Sequence, residues 1–232
     1  MKASVKRLLN NLRHSHIKKD IKCNSKWFGN KYGGFYVIPT LLSKNAIVYS
    51  FGVGKDISFD RMLISSFKCQ IFAFDPTPDS IAWCKQQNLP DQFNFFENGL
   101  STKSENDTFF LPKNKNHVSG SLVEHNQLSS ENKICVKMKS FEDILTNFKH
   151  KKVDLIKMDI EGSEYDVAES ILNSGINITQ IVLEIHERFF QNGREKTIGL
   201  LEIFRKNGFL LHSISSTYED LSFVHEKAIQ HK

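Results

Sequence analysis

Four side chains in the second half of this sequence have the types and spacing to do chemistry. Asp159 and Glu161 are two carboxylates two residues apart, and Glu184 and His186 are a carboxylate and an imidazole at the same interval. Such a set suits proton transfer. A hydroxyl that is to act as a nucleophile needs a proton sink, and an imidazole with an unperturbed pKa of about 6.5 sits closest to working pH. His186 is therefore the leading candidate for general base, with Glu161 second and Asp159 beside them. A strand-end histidine is just as often hydrogen-bonded to a neighbour. Oxygen and imidazole donors can also ligate a metal. Like-charged carboxylates cluster without one too, and no tight ligand motif is present, so no metal is expected. His117, His125, His212 and His225 show no ligand spacing.

A second set lies nearer the amino terminus. An apolar, β-branched run, Ile47-Val48-Tyr49-Ser50-Phe51, leads into Gly52 and Gly54, and the acid Asp56 follows where a helix can start. About twenty residues on, another apolar run ends in Asp75. Glycine permits a tight turn and close approach of backbone to ligand, and a carboxylate can accept hydrogen bonds from both hydroxyls of a ribose. Strand, glycine turn, helix and acid-tipped strand form the first half of a nucleotide-type cofactor site.

Such residues meet only if the elements bring them together. Strands are expected at 46–51, 70–75, 93–97, 134–138, 153–159, 178–186, 209–214 and 221–225, with a short one at 108–111. Helices are expected at about 56–66, from Pro78 to about 88, at 141–149, 164–173 and 195–207, with Thr77, Ser140 and Ser163 as caps. Strands alternating with helices imply an α/β fold with a mainly parallel sheet wrapped on both faces, and the last two strands form an antiparallel hairpin. Ligands bind such sheets at the carboxyl ends of the strands, where the glycine turn, Asp75, Asn98–Leu100, Asp159, Glu161 and His186 all fall. The glycine- and aromatic-rich stretch 27–36 reads as a loop covering that end, and 114–132 as a mobile loop of the length used for binding or closure.

A dinucleotide turn favours a third glycine beside the pyrophosphate, and Ile57 stands there. S-adenosylmethionine has no phosphate. It needs backbone groups for its amino-acid end, a carboxylate for its ribose and a partly apolar slot for adenine, which Gly52, Gly54, Asp75 and the Asn98–Leu100 corner supply. Methyl displacement then asks mainly for alignment of donor and acceptor.

The 232 residues suffice for one well-buried α/β core. Residues 1–44 are read as a basic leader plus aromatic, glycine-rich cap, and 45–232 as the catalytic domain. No apolar run spans a bilayer and no signal peptide is read, so a cytoplasmic location is expected. Four scattered cysteines argue for reduced, mostly buried thiols. Much of the net charge of +5 lies in the leader, where Val5, Leu8, Leu9 and Leu12 recur at helical spacing. Peripheral membrane contact through that segment is left open, although charged faces are more often simply solvated. A nucleic-acid substrate is disfavoured, because residues 153–162 lack the Asn/Asp-Pro-Pro-aromatic signature for a flipped base. A non-catalytic scaffold and, further off, an NAD-dependent oxidoreductase complete the alternatives.

Val153-Asp-Leu-Ile-Lys-Met-Asp-Ile-Glu-Gly-Ser-Glu-Tyr165, with Ile181-Val-Leu-Glu-Ile-His186, resembles the FkbM family of S-adenosylmethionine-dependent methyltransferases. The glycine-turn segment 49–60 with 73–77 is similar to the branch that includes the methyltransferase-like 24 proteins. The resemblance covers roughly residues 28–226. It implies a class I methyltransferase Rossmann-like fold, a seven-stranded sheet with a reversed last hairpin, and O-methylation of a hydroxyl on a small molecule or glycan. By position, Gly52 and Gly54 border the cofactor's methionine part, with Asp56 counted in the same binding set. Asp75 takes the ribose hydroxyls, and Asn98 and Leu100 lie near adenine. Asp159 and Glu161 stand close to the methyl donor, with His186 across the cleft. Ser50 replaces the acid with which many relatives open the turn, so Asp159 or a backbone carbonyl is left to hold the cofactor's amino group.

Overall fold

Strand side chains alternate between faces, and here that alternation divides the core in two. Tyr49, Phe74, Ile156, Ile181 and Leu183 fall in one buried cluster, whereas Val48, Ile71, Leu155 and Val182 fall in another. The strands bearing them are therefore covered on both sides. A computed structural model describes residues 12–112 and 128–230. The leader pattern at Val5, Leu8 and Leu9, and the 114–127 part of the expected loop, lie outside the described residues.

The main sheet has seven strands in the order β11-β12-β10-β9-β3-β4-β5. In chain order they are β3 (Ile47–Phe51), β4 (Gln70–Phe74), β5 (Phe93–Phe96), β9 (Lys152–Met158), β10 (Asn177–Glu184), β11 (Phe209–Ile214) and β12 (Asp220–His225). All neighbours pair in parallel except β12, which runs antiparallel to both β10 and β11. The chain reverses between β9 and β3 by leaving the sheet's centre in both directions, which opens a crevice at the strand tips there. Helices α1 (Ser58–Phe67) and α2 (Pro78–Gln86) belong to one face, and α3 (Phe141–Phe148), α4 (Glu164–Leu172) and α5 (Gly193–Lys206) to the other. Ser140 caps α3, its hydroxyl accepting from the Asp143 N–H at 3.2 Å.

Three elements depart from the sequence reading. The aromatic, glycine-rich stretch forms a hairpin, β1 (Lys26–Phe28) and β2 (Phe35–Val37), because Trp27 and Tyr36 pack edge to face across it at 5.0 Å. Residues 99–140 build a second, three-stranded sheet: β6 (Gly99–Ser101), β8 (Leu128–Ser140) and β7 (Asn106–Pro112), in the order β6-β8-β7. Residues 128–132 are thus strand, with Leu128 paired opposite Pro112. Its ladder is satisfied within the hairpin, so few apolar positions are needed; Phe109, Val136 and Met138 form its small cluster. Residues 20–25 run beside β11, where Asp20 N–H donates to the Leu211 carbonyl at 2.8 Å and its carboxylate accepts from Leu211 N–H and Arg205. Cys69 and Cys84 are buried, whereas Cys135 is exposed. Among the described residues no helix is long and apolar enough to cross a membrane.

Candidate functional site

A cleft opens at the carboxyl ends of β3, β4 and β9, walled on one side by the small sheet. Gly52, Asp75, Leu100, Asp159 and Glu161 line it, with Phe109 and Met138 across from them. Gly52 has φ of +79°, and a Cβ there would sit 1.7 Å from the Asp159 carbonyl oxygen. No other residue lets the tip of β3 cross that of β9 so closely. Gly54, at φ +58°, completes the left-handed bend and faces open space. Lys157, almost fully buried, donates to the Gly52 carbonyl, and so ties the bend to β9 from below.

Asp75 is committed to the same bend. One carboxylate oxygen accepts from the Val53 and Gly54 N–H groups, each at 2.9 Å. The other accepts from the Thr77 N–H at 2.9 Å and the Thr77 hydroxyl at 2.6 Å. Four donors use the lone pairs a carboxylate offers. Thr77 stands at the cap position of α2, but its hydroxyl bonds Asp75 and Ser80 in place of the helix end.

Beyond β9 the chain turns sharply, with Glu161 at φ +53° and Gly162 at φ +98°. Glu164 then enters the core. Its wholly buried carboxylate accepts from Gly162 N–H at 2.9 Å and His186 N–H at 3.0 Å, and pairs with His186 Nδ1 at 2.8 Å. Ser163, expected as the cap of α4, makes no side-chain cap bond. His186 follows β10 at the start of a 3-10 turn and is 1% exposed. Its Nε2 points toward three carboxylates: Glu161 Oε2 at 3.3 Å, Glu184 Oε1 at 3.6 Å and Asp159 Oδ1 at 3.8 Å.

The electrostatics bear on the role expected of His186. Burial lowers its pKa, but Glu164 and Glu161 outweigh burial and raise it well above the ordinary value. The ring stands behind the cleft-lining carboxylates rather than among them. Burial and the neighbouring acids raise Asp159, against the pull of Lys157 and His186. Glu184 is raised for the same reasons, burial first and Asp159 second.

Gly52, Gly54, Asp75, Leu100, Asp159 and Glu161 therefore converge as the sequence predicts, and three others do not. Ser50 is fully buried beneath the bend beside Asp60, because β3 alternation turns it away from the cleft. Asp56 faces the β1–β2 hairpin: its carboxylate accepts from Asn30 Nδ2 at 2.6 Å and Ser58 N–H at 2.8 Å. Asn98 turns its amide to the Gly99 carbonyl at 3.4 Å and leaves the lining to Gly99 and Leu100. Sequence reasoning missed Glu164, whose only signal is an acid among the apolar positions of α4. It also missed Phe109 and Met138, which reach the cleft only because β7 and β8 pair.

Comparison with known proteins agrees with this geometry. Residues 38–211 match the methyltransferase FkbM domain. The chain is 25% identical over 199 residues to the probable methyltransferase-like protein 24 of Rattus norvegicus, covering 81% of this chain and 47% of that protein. It is 26% identical over 140 residues to the hexuronic acid methyltransferase AglP of Haloferax volcanii, covering 58% of this chain and 54% of that one. It is 27% identical over 149 residues to the 2-O-methyltransferase NoeI of Sinorhizobium fredii, covering 56% and 59%. The chain spans about half the length of the curated relatives it matches. With three quarters of its length matched, this chain belongs to the FkbM methyltransferase domain family.

Proposed function

We propose that the chain is an S-adenosylmethionine-dependent methyltransferase acting on a hydroxyl oxygen of a small molecule or sugar. The observation that carries this reading is the bend at Gly52–Gly54, pressed on the Asp159 carbonyl and held by Asp75, opening on a cleft apolar on one wall and acidic at one edge. The described residues lining the cleft include no lysine or arginine, which suits a cofactor without phosphate. The names of AglP and NoeI support a sugar-like acceptor and transfer to oxygen.

The residues present fit that cofactor. Phe74, Leu100, Phe109 and Met138 offer an apolar slot for adenine, and the backbone of the bend offers polar groups for the amino-acid end. Asp75 can accept from one ribose hydroxyl for each present bond that gives way, that from the Thr77 hydroxyl first. The cofactor, when bound, supplies an electrophilic methyl group on a sulfonium. What the chain adds is alignment, worth much of the acceleration in such displacements, and a place for the acceptor's proton. Asp159 and Glu161 line the cleft and His186 does not, so the proton goes to a carboxylate. His186 is then a positioning residue, holding Glu161 from behind. Residues 45–232 form the catalytic unit in this reading, with 1–44 as leader and cap; hairpin β1–β2 reaches the start of α1 through Asn30 and Ser58.

Isothermal titration tests the cofactor. S-adenosylmethionine should bind one to one and NAD should not; NAD binding with no heat from S-adenosylmethionine ends the proposal. Labelled methyl transfer to hydroxylated sugars should then fall at least a hundredfold in Asp159→Asn and Glu161→Gln.

A further inference from the structure

The group behind the cleft's acidic edge is more than a set of like charges. Asp159 and Glu161 follow β9, Glu184 ends β10 and His186 follows it; these strands are paired side by side, which brings the four donors together. One donor atom from each of Asp159, Glu184 and His186 lies within 4.8 Å of the others. Around a divalent ion with bonds of about 2.1 Å, neighbouring donors stand roughly 3.0–3.4 Å apart. The contacts of Nε2, at 3.3, 3.6 and 3.8 Å, need to close only slightly to reach that spacing.

A separate observation concerns the far side of the ring. His186 is fully buried, and its Nδ1 pairs with Glu164, whose carboxylate is itself wholly buried and fixed by two backbone N–H groups. A histidine that ligates a metal through one nitrogen typically donates the other N–H to a carboxylate, which sets the tautomer and aims the lone pair. Here the clamp directs Nε2, and no other ring atom, at Asp159, Glu161 and Glu184. For a purely structural histidine one such partner would suffice.

We propose that Asp159, Glu184 and His186, with Glu161 at the rim, bind one divalent transition-metal ion, and that Glu164 is the positioning residue that orients the imidazole. One imidazole with two or three carboxylates suits Mn²⁺, Fe²⁺ or Zn²⁺ better than a hard ion held by oxygen alone. The ion sits on the Nε2 side of the ring, among the carboxylates. This reverses the expectation of no metal, which rested on the lack of a compact sequence motif; the ligands come from two strands separated by a helix. If the proposed methyl transfer holds, the ion sits where an acceptor hydroxyl approaches Asp159, and coordination makes that hydroxyl easier to deprotonate. Binding of the ion does not itself require that activity.

Electron paramagnetic resonance during titration with MnCl₂, without S-adenosylmethionine, tests the site. One equivalent of Mn²⁺ should be immobilised by the unaltered protein. Affinity should drop at least tenfold in Glu184→Gln and in His186→Gln, and ten- to a hundredfold in Glu164→Gln, where no ligand is removed. Circular dichroism on each variant separates lost binding from lost fold; Glu184→Gln, at a half-buried position, is the variant expected to stay folded. No stoichiometric Mn²⁺ or Zn²⁺ binding by the unaltered protein overturns the inference, as does loose binding that a folded Glu184→Gln variant leaves unchanged. Calorimetry with S-adenosylmethionine on the same samples distinguishes the two claims: cofactor binding without metal sinks only the ion, and metal binding without cofactor sinks only the transferase.

Discussion

Glu161 concentrates the cost of building this site into one residue. It stands in the left-handed region at φ +53°, where a side chain with a Cβ is disfavoured by about 1 kcal/mol or more, and it is followed by a glycine in a positive-φ conformation as well. That turn is what carries its carboxylate back over β9 to face His186 Nε2 at 3.3 Å. Chain strain and function are therefore separable by substitution. Glu161→Gly should be about 1 kcal/mol more stable than Glu161→Ala in urea unfolding, because glycine relaxes the turn. Both should lose methyl transfer to the same extent. Equal stabilities would mean that the turn is not strained.

At the scale of elements, the glycine bend depends on neighbours in opposite directions. Asp75 at the tip of β4 holds it from the cleft side, and Lys157 on β9 holds it from below. Asp56, only two residues past Gly54, belongs to a different junction. It accepts from the N–H of Ser58, the first residue of α1, although Ile57 holds the cap position, and it joins that helix to the β1–β2 hairpin through Asn30. Asp56→Ala should cost about 1 kcal/mol, the usual net worth of the hydrogen bonds it removes. Calorimetric affinity for S-adenosylmethionine should stay within twofold of the unaltered protein. A tenfold weakening would return Asp56 to the cofactor set in which the sequence alone places it.

Across the whole molecule, acid sensitivity has an identifiable source away from the cleft. His212 on β11 is buried, its Nε2 has no hydrogen-bond partner, and burial, then Lys19, lowers its pKa to about 4 from an ordinary 6.5. Between those values the unfolded chain carries the proton and the folded one does not. Its contribution is thus whole above about pH 6.5 and is lost as pH falls toward 4, by up to about 3 kcal/mol. Asp60, raised to about 6 mainly by burial, acts in the opposite sense over much of this range. The difference between His212→Gln and the unaltered protein isolates the histidine. Measured by thermal unfolding, it should shift in favour of the variant as pH drops from 7 to 4.5, and a constant difference would show that the histidine is not the sensor.

What the amino-acid order alone determined is local and periodic. Apolar, β-branched runs mark the buried strands, glycines at 52 and 54 mark the bend, and acids follow the strand ends at 75 and 159. Those features are legible because each depends on a residue's own backbone preference or on neighbours a few positions away. Only the tertiary structure decided the partners. Glu164 reaches His186 across 22 positions, and Asp75 gives all four of its acceptor sites to the bend and to Thr77. Phe109 and Met138 lie in segments that read as short strands, but they come to the cleft only through the ladder between those segments, which neither segment announces by itself. Pairing of distant strands depends on the satisfaction of backbone groups and on burial summed over the entire sheet, and no stretch of sequence carries either quantity by itself.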